Sequence, residues 1–115
     1  MKERRKLMRI AADLETGYWA KGGSMTAGQA RIRDFSREGL GVLFPTLVRR
    51  GEHVDFTMHV PGDNIPIFAT AEVAWTGEET PEGPSGAGLR FIAIKPLDLA
   101  RLLDFVYSCW LGKKV

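Results

Sequence analysis

At 115 residues the chain suits a single domain, which at this size buries roughly 60–70% of the surface its unfolded form exposes. One cysteine, Cys109, excludes an intramolecular disulfide and a cysteine-cluster metal site, and two histidines, His53 and His59, offer zinc no third ligand. The formal net charge of +2 is lopsided: residues 1–10 hold five basic side chains against one acidic, and the rest holds 11 basic against 13 acidic. The body therefore supplies no net field for a long polyanion, while a basic arm suits a compact anion.

The arm comes first. Residues 1–10 are too charged to bury themselves and are expected to be flexible. MKERRK carries the charge of a secretory leader, but Arg9, Asp13 and Glu15 interrupt the apolar stretch that should follow, and no later run approaches the roughly 20 apolar residues of a membrane helix. A cytoplasmic protein is expected, its thiol reduced. Within the arm Arg5 and Arg9 form an R-x-x-x-R pair, with Arg4 just before it. On an extended chain four residues span about 13 Å, enough to bracket the phosphate and base of a nucleotide. Taken alone, the arm also reads as a solvated tail or a nonspecific nucleic-acid contact.

Short strands follow, at 10–20, 29–35 and 39–44. Between the second and third lies Asp34-x-Ser36-x-x-Gly39, whose period of two sends Asp34 and Ser36 to one side of a strand end. The plain reading is a turn initiated by Asp and Ser and closed by Gly. The functional one is a carboxylate and a hydroxyl placed to accept the N–H donors of guanine, opposite arginines able to fork onto phosphate. Arg31, Arg33 and Arg37 flank the motif, as phosphate contacts or as surface decoration.

The clearest strand is 54–60, where Val54, Phe56, Met58 and Val60 alternate with polar residues and leave His53 and His59 on the surface. Ile67, Ala69, Ala71, Val73 and Trp75 repeat that period, which predicts Trp75 in the core rather than stacked on a base; 89–94 is apolar nearly throughout. Breaks fall at 21–26, 45–51, 61–66 and 77–86, each rich in turn formers. From Pro96 to about residue 111 the period becomes helical, with Leu99, Leu102, Leu103, Val106 and Trp110 in one stripe, Cys109 beside it as an inert buried thiol, and Gly112 at the exit. The expectation is an all-β dominated chain: a small antiparallel barrel of six strands over 11–115, closed by a C-terminal helix.

With both motifs intact as R-K-L-M-R and D-F-S-R-E-G, and with A-E-V-A-W (71–75) and G-A-G-L-R-F (86–91) after them, the chain resembles the PilZ domain family of bacterial cyclic di-GMP receptors over roughly residues 3–110. The resemblance implies that Arg5 and Arg9 clamp the phosphates and guanine, that Asp34 and Ser36 hydrogen-bond a guanine, and that Gly39 lets the backbone come close. A basic residue at Arg4 implies an intercalated ligand dimer, and Arg37 and Trp75 are secondary candidates. The implied protein needs no cofactor beyond its ligand. It is a monomer whose arm changes conformation on binding and signals to a downstream protein, in motility or biofilm control.

No nucleophile, base and orienter stand in a readable arrangement, so an enzyme is not expected. A ligand-independent PilZ-type adaptor is the first alternative, against which the intact arginines count. A small nucleic-acid-binding barrel is the second; such barrels pair positive charge with exposed aromatics, whereas the aromatics here are assigned mostly to the core.

Overall fold

The computed structural model describes residues 10–21, 25–77 and 85–114. Six strands and one helix follow in chain order: β1 (Ile10–Lys21), β2 (Met25–Phe35), β3 (Gly39–Phe44), β4 (His53–Met58), β5 (Ile67–Thr76), β6 (Ser85–Ile94) and α1 (Pro96–Lys114). The strands close into a barrel in the order β1-β2-β3-β6-β5-β4, with every neighbouring pair antiparallel. This is the expected six-stranded barrel with a C-terminal helix. Residues 1–9 of the arm lie outside the described residues, and with them Arg4, Arg5 and Arg9; Ile10, expected in the flexible arm, instead opens β1 and is buried.

Alternation in the sequence becomes inside and outside in the barrel. On β1, Ile10, Ala12, Leu14, Thr16, Tyr18 and Ala20 point inward; on β4, Val54, Phe56 and Met58 do so. Thr16, the one buried polar side chain among them, donates to the carbonyls of Gly17 and Thr57 at 3.0 Å each, so burial leaves its hydroxyl satisfied. Tyr18 packs edge-on against Phe44 with ring centroids 5.0 Å apart, and its hydroxyl reaches Thr46 Oγ1 at 3.1 Å. His53 and His59 are exposed.

Tertiary pairing extends two strands beyond the sequence pattern. β2 begins at Met25 rather than 29 because its ladder with β1 runs through Lys21 and Met25. β6 begins at Ser85 rather than 89, since Gly86 and Gly88, poor strand formers, are held by partners on β3.

Trp75 is not in the core. A bulge between Val73 and Trp75 sets two residues of β5 against one step of β6, so the alternation that buries Ala71 and Val73 is reset and Trp75 is 52% exposed.

α1 packs against β1 and β5. Its buried residues are Leu102 and Val106, one turn apart, with Phe105 and Cys109 packed half-buried beside them. The stripe is thus rotated from the expected one: Trp110 lies outward at 36% exposure, and Cys109 is half-buried rather than buried. The helix also continues past Gly112 to Lys114. Arg101 ties it to the loop between β4 and β5, donating to Asp63 Oδ2 at 2.7 and 3.1 Å, to Asp98 Oδ1 at 2.9 Å and to the Ile65 carbonyl. No helix among the described residues is long and apolar enough to cross a membrane.

Candidate functional site

The acceptor motif sits where β2 hands over to β3. Ile32 and Phe35, three residues apart, are both fully buried, which strict alternation forbids; a bulge between Ile32 and Asp34 absorbs the extra residue. Beyond it Phe35 faces in, while Asp34 and Ser36 are half-buried, the Asp34 Oδ1 atom itself being out of reach of solvent.

Ser36 organises the turn that follows. Its Oγ accepts from the backbone N–H of Glu38 at 3.2 Å and of Gly39 at 3.3 Å, and its own N–H donates to the Gly39 carbonyl at 3.0 Å. The turn role is therefore real, yet a hydroxyl that accepts still carries a proton to donate. Gly39 serves an interstrand approach: a Cβ there would stand 1.8 Å from the Leu89 carbonyl oxygen. The chain that comes close to Gly39 is thus β6.

Asp34 lies in register with Gly41 on β3, and its carboxylate oxygens stand 2.6 and 2.7 Å from where a Cβ at Gly41 would be. The side chain has folded over the neighbouring strand. Gly41 is in turn in register with Gly88 on β6, and Gly88 with Trp75 on β5. A Cβ at Gly88 would stand 2.0 Å from Trp75 Nε1, so the indole has also folded sideways across the barrel surface, over Gly88. One row crosses four strands: Asp34, Gly41, Gly88, Trp75. Three strand spacings, about 14 Å, separate the outer two backbones, but the carboxylate and the indole rest over adjacent strands about 5 Å apart. Gly41 and Gly88 were not singled out from the sequence; the available signal was a glycine at an outward position on each of two strands.

On its other side Asp34 is in register with Ala11, and Phe35 with Ile10. Ile10, the residue after Arg9 in sequence, is thus paired with Phe35, inside the acceptor motif, while Arg9 itself lies outside the described residues.

The flanking arginines separate. Arg31 donates to Asp13 at 2.9 Å and to Glu15 at 3.1 Å across β1; the Asp13 hydrogen bond and charge raise its pKa further, and it is committed to β1. Arg33 and Arg37 are exposed. Arg90, next outward on β6, donates to Glu72 at 2.7 Å. Away from this row, Trp19, Phe68 and Ile92 are about half exposed along a groove over β1, β2, β4, β5 and β6; Tyr18, Phe35, Phe44 and Phe56 are in the core as expected, with Phe91 and Phe105 packed against it. Among the described residues no group of three or more histidine, cysteine, aspartate or glutamate side chains is placed to hold a metal ion.

The model of the PilZ domain matches residues 3–108. No curated protein matches the chain. Among solved structures, the inhibitor of motility MotI/DgrA from Bacillus subtilis is similar at 18% identity and a TM-score of 0.75, covering 99% of this chain and 55% of its own. The PilZ domain of YcgR from Escherichia coli, solved with c-di-GMP, is similar at 18% identity and a TM-score of 0.73, covering 97% of this chain and 95% of its own. MrkH of K. pneumoniae, solved as a c-di-GMP complex, is similar at 13% identity and a TM-score of 0.65, covering 99% of this chain and 56% of its own. This chain thus spans little more than half the length of MotI and MrkH.

Proposed function

The chain belongs to the PilZ domain family, and on that premise we propose that it is a cyclic di-GMP receptor rather than an enzyme. The observation that carries the proposal is the register of Ala11 with Asp34, which sets the β1 residues that follow Arg9 in sequence against the acceptor motif. Arg5 and Arg9 bind phosphate and guanine, Asp34 and the Ser36 hydroxyl meet a guanine edge, and Gly39 shapes the turn that presents them. Arg4 favours an intercalated ligand dimer, and Arg37, exposed in the turn, adds a phosphate contact.

Binding pins the arm across the barrel, and the pinned arm signals to a protein partner in the cytoplasm, in control of motility or biofilm formation. YcgR and MrkH, whose structures hold c-di-GMP, and MotI, an inhibitor of motility, support this reading. Isothermal titration of the monomeric chain with cyclic di-GMP, beside an Arg5→Ala, Arg9→Ala variant, tests it. Saturable binding near two ligands per chain, abolished in the variant, is expected; one ligand per chain discards the dimer, and no heat discards the receptor. The ligand-independent adaptor is the second reading, favoured by the half-exposed Trp19, Phe68 and Ile92, and it predicts partner capture that ligand leaves unchanged.

A further inference from the structure

Two outward positions in the middle of the β3–β6 ladder lack side chains, and the groups beside them have moved into that space. Any residue but glycine at position 41 would meet the Asp34 carboxylate within 2.6 Å, and any at 88 would meet the Trp75 indole at 2.0 Å. Neither glycine is needed for backbone conformation, since positive φ angles among the described residues occur only at Gly51 and Gly62. Neither brings backbones together as Gly39 does; in both cases the nearest atoms belong to a side chain that can swing away.

We propose that Gly41 and Gly88 are positioning residues of the ligand seat. They hold an acceptor carboxylate and an aromatic ring over adjacent strands, so that a base that displaces what now covers Asp34 Oδ1 and donates two N–H groups to the carboxylate also lies against the Trp75 indole. The seat thereby reads an edge and a face of the same base. Guanine carries adjacent N–H donors on one edge; adenine presents no such pair and cannot satisfy a carboxylate in the same way. The two glycines accordingly set selectivity for guanine over adenine as well as affinity. The inference rests on the receptor reading, and the experiment separates their failures.

The test uses the full chain with Trp19→Phe and Trp110→Phe, both at exposed positions, leaving Trp75 as the sole indole. Gly41→Ala and Gly88→Ala are added singly, and each protein is titrated with cyclic di-GMP and cyclic di-AMP while acrylamide quenching of Trp75 is recorded without ligand. Loss of one charge-assisted contact corresponds to about tenfold in affinity or more. The expected result is a drop of that size for cyclic di-GMP in both variants, a smaller preference over cyclic di-AMP in Gly41→Ala, and faster Trp75 quenching in Gly88→Ala. Unchanged affinity and preference in both alanine variants overturns the proposal. If the parent chain binds no cyclic di-GMP, the receptor reading fails by itself, and quenching decides the placement: faster in Gly88→Ala sustains it, unchanged overturns it.

Discussion

The Asp34 carboxylate rests on Gly41: the two residues are in register across the β2–β3 ladder, and the carboxylate oxygens occupy the space a methyl group at Gly41 would take. An acid on one strand thereby sets its oxygens over the next, with Oδ1 buried there. That displacement requires a bulge to turn Asp34 outward and a glycine to receive it, and the two features lie on different strands.

Gly39 and Gly41, two residues apart, are expected to respond oppositely to a methyl group. Gly39→Ala drives a Cβ into the Leu89 carbonyl, a backbone atom that cannot move without opening the β3–β6 ladder, and should cost about 3 kcal/mol or more. Gly41→Ala displaces only a side chain and should stay within about 1 kcal/mol. Urea unfolding of the two variants checks this; equal losses would refute the distinction.

Arg9→Ala should weaken cyclic di-GMP binding by about tenfold or more, since a charge-assisted hydrogen bond contributes about 1.5–3 kcal/mol. Arg31→Ala should leave it within about twofold, because that guanidinium is engaged by Asp13 and Glu15 on β1. Titration of both proteins distinguishes the arginine that meets ligand from the one that braces the barrel.

The helix is held by few side chains. Leu102 and Val106 are its buried anchors, at 1% and 0% exposure, so Leu102→Ala should lower stability by about 2–5 kcal/mol. Leu97→Ala, at a position 79% exposed on the same helix, should change little. Thermal unfolding of the pair measures the difference.

Acid should loosen the bond between the helix and the β4–β5 loop. The Arg101 hydrogen bond, helped by the Ile65 N–H, holds the Asp63 carboxyl below its ordinary value. A group whose folded pKa is depressed stabilises above its unfolded pKa, near 3.9, and loses that contribution as pH falls through the folded value. The gap in urea midpoint between the parent and Arg101→Leu should therefore be full at about pH 6 and shrink below about pH 4. A gap independent of pH would assign Arg101 a purely packing role.

Much was legible because a pleated strand exposes its period directly. Val54, Phe56 and Met58 alternate with polar residues and point inward as read, and the two spaced motifs identified the family before any coordinates did. Trp75 was assigned to the wrong face because a bulge is set by pairing with β6, and its own strand carries no mark of the extra residue. The helix stripe was rotated for a related reason: five apolar positions fit more than one face, and contact with β1 and β5 selected Leu102 and Val106.

The sequence by itself determined which chemistry is present, a clustered basic arm with an intact acceptor motif, and how many strands there are, since side-chain type and short-range period are local properties. Tertiary structure alone decided what stands next to what. Asp34, Gly41, Gly88 and Trp75 are scattered over more than fifty residues of chain and meet in one row because closure of the barrel places β2, β3, β6 and β5 side by side. Register across a sheet depends on long-range pairing, which no local pattern encodes.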